Sequence, residues 1–334
     1  MRFYDITITD QTGNTITLDG VDGPVPMHWA SHKNGVMVPG ALNVEWDVPT
    51  AAMDTPVGDS YVKIWGIDLL TLNRVSNLRW QNITIQAGMQ SGLPLATEQA
   101  QAKPARNGII FQGTILQPYG NWQGVEQSLD FVVTTQIKSV PTDIPSLKKL
   151  LVFDCAPNQS FASALQKTVS DAKIVSSINI DPRLVASERI TFSADNAGRF
   201  GQQIAEQSIN VLNDPTYSGV KMVKTASGYD FVDQSFTKTG IPVLFNDLIG
   251  QPTWIQYLVL QLKLVMRSDI KVGDTIILPK NTNIIQQAKA FNPSENLEFT
   301  GTAWVQQVRH VANFRQADAN SWVTVIDVII NQKK

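Results

Sequence analysis

Ala41-Leu42-Asn43-Val44-Glu45-Trp46-Asp47-Val48 alternates apolar and polar residues without a break. Side chains of an extended chain point to opposite faces in turn, so Leu42, Val44, Trp46 and Val48 share one face of a half-buried β-strand. The same period extends outward. Toward the N-terminus, Asp5-Ile6-Thr7-Ile8 and Thr15-Ile16-Thr17-Leu18 flank the turn Asp10-Gln11-Thr12-Gly13-Asn14, a hairpin signal. Residues 20–40 are rich in Gly and Pro and are expected to form a loop. Toward the C-terminus, Tyr61-Val62-Lys63-Ile64-Trp65, Gln81-Asn82-Ile83-Thr84-Ile85, Gly108-Ile109-Ile110-Phe111 and Ser128-Leu129-Asp130-Phe131-Val132-Val133 continue the strands. Residues 91–107 are rich in Ala, Gln and Pro, carry no period and read as an extended arm.

The character changes after Val140-Pro141 and Ile144-Pro145. Ser160 is placed to cap a helix carrying Phe161, Leu165 and Val169, and Asp195 to cap a second through Phe200, Ile204 and Ile209, ending at Asn213-Asp214-Pro215. Strands are expected over 173–180 and 220–232, the latter folded back at Ser227-Gly228. From Phe245 the β pattern returns, with Leu258, Leu260, Leu262 and Leu264 on one face, then 275–279, 304–311 and 321–330. The expected fold is mainly β with an α+β insert. Two similar small β-barrel domains, 1–140 (with the arm near 91–107) and 246–334, flank the mixed region 141–245.

Two short matches carry the duplication. Val57-Gly58-Asp59 pairs with Val272-Gly273-Asp274, and Phe111-Gln112-Gly113-Thr114 with Phe299-Thr300-Gly301-Thr302. The gap from Gly58 to Gly113 is 55 positions against 28 from Gly273 to Gly301, so the first copy would carry 27 extra residues. Two similar barrels per chain, in a cyclic assembly of three chains, give a pseudo-six-fold ring.

Composition points to contact with other protein. Of 334 residues, 43% are apolar, enough for a sizeable core, but only 17% are charged. Soluble proteins usually carry roughly 25%. Uncharged amides fill the gap, 21 Asn and 26 Gln, and burying an amide costs far less than burying a charge. Net charge is −2, and no Lys/Arg cluster exceeds Lys148-Lys149, which argues against a counterion-releasing nucleic-acid patch. Cys155 stands alone, so no intrachain disulfide can form. Met1-Arg2-Phe3-Tyr4-Asp5-Ile6 has no apolar core of a leader, and no apolar run approaches the 18 or so residues of a membrane helix.

No catalytic or metal-binding set stands out. His28 and His32 have the spacing of two ligands on a helix, but Pro24 and Pro26 precede them and no third ligand lies near, so both read as polar loop residues. His310 sits on an expected strand as a hydrogen-bonded rim or interface residue. Cys155 has no histidine in its block to raise its thiolate fraction and reads as structural. Asp47, Asp54, Asp59 and Asp68 lie near turns, where Asp is favoured. No Gly-x-Ser-x-Gly elbow, phosphate loop or dinucleotide fingerprint occurs. Most tryptophans fall on strands; Tyr119 and Trp122, expected in a loop, could stack on sugar, though core or interface packing is the commoner role.

Pro39-Gly40-Ala41-Leu42-Asn43-Val44-Glu45-Trp46-Asp47, followed by Tyr61-Val62-Lys63-Ile64-Trp65-Gly66, resembles the first barrel of baseplate hub proteins of contractile-tailed bacteriophages. Gly120-Asn121-Trp122-Gln123-Gly124, Phe245-Asn246-Asp247-Leu248-Ile249-Gly250-Gln251-Pro252-Thr253-Trp254 and Val265-Met266-Arg267-Ser268-Asp269-Ile270-Lys271-Val272-Gly273-Asp274 resemble the same family. So does the run from Val308-Arg309-His310-Val311 to Ser321-Trp322-Val323-Thr324-Val325. The resemblance implies a non-enzymatic homotrimeric hub of the virion tail, assembled in the bacterial cytoplasm, related in architecture to the hub part of type VI secretion spikes. Its partners would be tail-tube or tube-adaptor proteins above, a spike below and baseplate wedge proteins around. Tape-measure protein and DNA would pass through the lumen without specific binding; no cofactor, metal or membrane contact is implied. Leu93, Leu95 and Pro104 of the arm, with Trp46, Trp122 and Trp322, are the expected interface residues. A β-rich carbohydrate-binding module of a tail and an unrecognised cell-wall hydrolase are the alternative readings.

Overall fold

The computed structural model describes residues 1–52, 54, 60–89, 107–134, 151–215, 217–224, 229–235, 239–256, 259–279 and 301–330. The first block contains β1 (Arg2–Thr9), β2 (Thr17–Gly20), β3 (Gly23–Pro26), β4 (His28–Ala30), β5 (His32–Lys33), β6 (Val36–Met37), β7 (Val44–Ala51), β8 (Ser60–Trp65), helix α1 (Leu69–Leu72), β9 (Asn82–Met89), β10 (Gly108–Gln123) and β11 (Glu126–Thr134). The insert holds β12 (Leu151–Cys155), α2 (Phe161–Asp171), β13 (Ser176–Asn179), β14 (Ile190–Ala194), α3 (Ala197–Leu212), β15 (Lys221–Lys224) and β16 (Tyr229–Val232). The second block adds β17 (Ile241–Pro242), β18 (Thr253–Gln256), β19 (Val259–Val265), β20 (Thr275–Leu278), β21 (Gly301–Asn313) and β22 (Trp322–Ile330).

The chain is mainly β, as the alternation requires, but the expected pair of closed barrels is not formed by the described strands. Both blocks enter one 13-stranded sheet ordered β18-β19-β22-β21-β7-β8-β11-β10-β9-β1-β4, with β20 and β17 off that path. The joint is β7 against β21, antiparallel from Glu45↔Asn313 to Ala51↔Gln307.

A five-strand order repeats across that joint. In the first block β7-β8-β11-β10-β9 are neighbours; in the second, β18-β19-β22-β21-β20. Numbering the five strands of each block along the chain, the spatial order is first, second, fifth, fourth, third in both. Hydrogen bonds fix the equivalence. Trp80 N–H donates to Ile115 O and Ile115 N–H to Gln81 O; Gly273 N–H donates to Val305 O and Val305 N–H to Asp274 O. One bulge residue follows in each case, Leu116 and Gln306. Likewise Gly66 N–H donates to Gln127 O and Met266 N–H to Trp322 O.

The duplication is therefore real in topology, and both sequence matches are misregistered. Val272-Gly273-Asp274 precedes the third strand of its block, whereas residues 57–59, outside the described residues, precede the second. Gly113 is equivalent to Ala303, two residues beyond Gly301. The inferred extra 27 residues lose their basis.

Other local expectations need correction. The Asp10 hairpin closes as expected: Thr9 and Thr15 bridge antiparallel, Ile16 N–H donates to Ile8 O at 3.0 Å, and Asp10 Oδ1 accepts from Thr12 and Asn14 N–H at 2.8 and 2.9 Å; beyond that closure β1 pairs with β9 and β4, and β2 with β3. Residues 20–40 carry the short strands β3 to β6 rather than a plain loop. In the insert Ser160 caps α2 as expected, and Asn213 closes α3 in the left-handed conformation. The cap of α3 is Asn196, not Asp195: its side chain accepts from Arg199 N–H at 2.8 Å. Phe200 and Ile204 are buried, while Ile209 is exposed and Ser208 takes the buried place beneath the turn.

Candidate assembly interface

The seam between the blocks is built from strand alternation. Trp46 on β7 and Trp322 at the start of β22 point inward, only 2% and 3% exposed, and meet edge to face with ring centroids 5.0 Å apart. Both were expected at an interface between proteins. The structure buries them inside this chain, where they join the two blocks and leave no surface for a partner. Phe314 packs on Trp322 at 5.9 Å and on Tyr4 at 4.8 Å, and the Trp322 indole N–H donates to Gly88 O. Arg2 reaches from β1 into the β21–β22 turn, donating to Asn313 O, Phe314 O and Gln316 O. The first block's hydrophobic core thus includes Met266, Ala312 and Trp322 from the second.

On the outer face of the seam, Arg309 grips Asp47 through both guanidinium arms, with Nε to Oδ1 at 2.7 Å. That carboxylate raises the Arg309 pKa further. Glu45 Oε1 accepts from Trp65 Nε1 at 2.9 Å and Asn313 Nδ2 at 3.0 Å, crossing the same joint. On the inner face His310 is fully buried, its Nδ1 3.0 Å from Thr324 Oγ1. Burial, which disfavours the imidazolium, pushes its pKa down to about 3. His310 is hydrogen-bonded as expected, but it is buried within the chain and lies at neither a rim nor an interface between proteins.

The insert is pinned beside the seam by Lys221 on β15, whose Nζ lies 2.5 Å from Asp54 Oδ2, both side chains nearly buried. Val223 and Val232 of the insert enter the second block's core. A cavity of about 640 Å³ lies where the three parts meet, lined by Ile83, Phe111, Val223, Lys224, Lys271 and His310 among others. Burial lowers the Lys224 pKa.

Two strand edges have no partner strand among the described residues. Beyond its bulge, β10 from Gln117 to Gln123 has β11 on one side and, among the described strands, none on the other. β18 has β19 on one side and ends the sheet. Large apolar side chains are exposed along both: Tyr119 and Trp122 on β10, Val125 at the hairpin tip, Ile255 on β18. Tyr119 and Trp122 lie on a strand, not in a loop. Three positions apart on a strand, they face opposite sides of the sheet, so they do not form one stacking platform. The Trp122 indole is tied to its own turn, donating to Gly124 O at 2.7 Å. Of the expected interface residues, Trp122 stays accessible, at 64% exposure. Leu93, Leu95 and Pro104 lie outside the described residues.

Sequence reasoning missed these edges. No sequence signal marks them: both sequence matches are misregistered, and the repeat that reveals them appears only when the strands are aligned by their hydrogen bonds.

The remaining candidates are spread apart. His28, exposed on β4, lies 3.1 Å from both Asp5 oxygens, and His32 Nδ1 lies 2.8 Å from Ser31 Oγ. No cluster of three or more His, Cys, Asp or Glu suited to a metal occurs among the described residues. Cys155 is buried, and burial, with the Asp154 charge second, raises its thiol pKa. Asp68 caps α1, accepting from Thr71 N–H at 2.9 Å. No helix of the described residues is long and apolar enough to cross a membrane.

No family model and no curated protein matches this chain. Solved structures do. An Escherichia coli protein described as a component of the type VI secretion system, with structural similarity to bacteriophage T4 tail proteins, matches at 10% identity and TM-score 0.46, over 89% of this chain and 76% of its own. The 43 kDa tail protein of prophage MuSo2 from Shewanella oneidensis matches at 8% identity and TM-score 0.46, over 98% of this chain and 97% of its own. The tail protein from Neisseria meningitidis MC58 gives 8% identity and TM-score 0.43, with the same coverages of 98% and 97%. These three solved structures, to which this chain is similar, are thus two tail proteins and a type VI secretion component.

Proposed function

We propose that this chain is a structural, non-enzymatic protein of a phage-like tail: the central hub of the baseplate, homotrimeric, adapting a six-fold tail tube to a three-fold spike. On this reading the domains run 1–140, 141–245 and 246–334. Tail-tube or adaptor proteins lie above, the spike below and wedge proteins around, and the centre passes tape-measure protein and DNA. The repeated five-strand order carries the reading, because it gives one chain two copies of the same sheet unit joined edge to edge. Three such chains present six units, the number needed to continue a six-fold ring. The resemblance of the stretches around Trp46, Trp254 and Trp322 to baseplate hub proteins supports it. So does the low charge of 17%, which suits a surface largely covered by neighbours.

The test is native mass and light scattering on the purified chain, with a glycan panel and a peptidoglycan-clearing assay alongside. A species at three times the chain mass of 36.8 kDa, with neither activity, is the expected result. A monomer that binds glycan overturns the hub in favour of a carbohydrate-binding module. Clearing of peptidoglycan, abolished by carboxylate substitution, overturns it in favour of a hydrolase.

A further inference from the structure

We infer that the cavity where the two blocks and the insert meet binds an uncharged aromatic molecule carrying an N–H or O–H donor, which the molecule gives to His310 Nε2 at the buried end. The site lies within one chain and stands apart from the assembly reading.

The lining divides by burial. Ile83, Phe111, Val223, Ile270, Val272 and Val308 are buried, and among the described lining residues His310 is the only buried polar one. Thr84, Gln112 and Ser268 also line it but are half-buried or exposed. The deep wall is therefore apolar except at one imidazole. Its volume of about 640 Å³ falls within the roughly 300–1,000 Å³ of small-molecule sites.

The hydrogen bonds around His310 decide what the ring offers. Thr324 Oγ1 accepts from Arg267 N–H at 3.0 Å and donates to Arg267 O at 3.2 Å. No other donor reaches that carbonyl among the described residues, so the single hydroxyl proton belongs there. His310 Nδ1, 3.0 Å from Thr324 Oγ1, must then carry the ring proton and donate it. Nε2 is left as an acceptor. It has no partner among the described residues, yet unlike His32 Nε2 it is not sealed in packing, because the ring forms part of the cavity wall. Burial keeps the ring neutral, which preserves the lone pair.

A buried acceptor without a partner is costly, and a donor on the ligand removes that cost. The charged groups of the lining set the ligand's charge. Lys224 and Lys271 balance Asp230 and Asp274, with Asp230 Oδ1 accepting from Ser177 Oγ at 2.6 Å and Asp274 Oδ2 from Lys271 N–H at 2.8 Å. An ion gains no net attraction there and would be desolvated against the apolar wall. One imidazole without further His, Cys, Asp or Glu ligands among the described residues is not a metal site. Phe111 on the deep wall favours an aromatic body, ring against ring.

Indole and benzothiophene test this, being nearly the same shape while only indole carries an N–H. Isothermal titration of the full chain should show indole bound about tenfold more tightly, because benzothiophene leaves Nε2 unpaired. His310→Phe keeps a ring in place and removes the acceptor, so the preference should vanish. Ile109→Trp, at an exposed position of the lining, fills space in the cavity and should abolish binding of both, whether or not His310→Phe folds; circular dichroism verifies the fold of each variant. Absence of indole binding at millimolar concentration overturns the site, water alone then meeting Nε2. Equal affinities in the unaltered chain, or a preference that survives His310→Phe, overturn the role of His310. Binding unchanged by Ile109→Trp puts the ligand elsewhere and overturns the cavity.

Discussion

Trp80 and Gly273 occupy the same backbone position in the two halves of this chain. Both have positive φ, 69° and 86°, and each donates its N–H to the residue before a bulge, Ile115 O at 2.8 Å and Val305 O at 2.9 Å. Glycine takes that conformation freely, whereas an L-residue loses about 1–2 kcal/mol in it.

Substitution at the two positions should therefore act oppositely. Gly273→Val meets both the backbone penalty and the Val232 side chain, whose Cγ2 lies 3.0 Å from where a Cβ would sit. We expect a loss of about 2–3 kcal/mol in denaturant unfolding. Trp80→Gly relieves the strain while losing the indole's contact with Arg79, 5.1 Å from its centroid, and should change stability by less than about 1 kcal/mol. Equal losses at the two sites would contradict the equivalence.

Trp322 belongs to the second block by sequence and to the first by packing. Trp322→Ala should destabilise the chain by about 3–5 kcal/mol. Amide exchange should show loss of protection in β1 and β9, which touch it, as well as in β22. Protection lost from the second block alone would show that the seam does not couple the halves.

The two ion pairs near the seam should differ in weight. Asp54→Ala strands the buried Lys221 ammonium and should cost about 3 kcal/mol or more. Arg309→Ala removes a half-exposed pair and should cost under about 1 kcal/mol. Chemical unfolding of both variants in parallel, at two salt concentrations, checks the order.

His310 gives the chain an acid sensitivity. Its folded pKa of about 3 lies below the ordinary 6.5 of an unfolded chain, so the unfolded state binds the extra proton between those values. Stability from this group is fully present above pH 6.5 and is lost progressively as pH falls toward 3. His310→Gln should flatten that part of the pH–stability curve, measured as the unfolding midpoint from pH 7 to pH 4. An unchanged slope would mean the acid sensitivity lies elsewhere.

Much of the local structure is legible in the sequence because its causes are local. The period-two stretch at 41–48, the Ser160 cap and the left-handed Asn213 stop depend on residues within a turn or a strand of one another. The cap of α3 slipped by one because Asp195 and Asn196 are both good caps, and only the backbone direction entering the helix selects between them.

Which strands pair, and in what register, was decided by the tertiary structure. Sequence spacing matched Gly113 to Gly301, but hydrogen bonds match Gly113 to Ala303. A slip of two residues keeps every side chain on its own face, so alternation is blind to it. Trp46 and Trp322 could equally have faced a partner. They lie far apart in sequence, and the β7–β21 pairing alone brings them together and buries them. The sequence by itself determined that this is a mainly β protein with a mixed insert, while the register of its duplication came from the backbone hydrogen bonds. The long-range pairings, which no local pattern encodes, decided that its halves share one sheet.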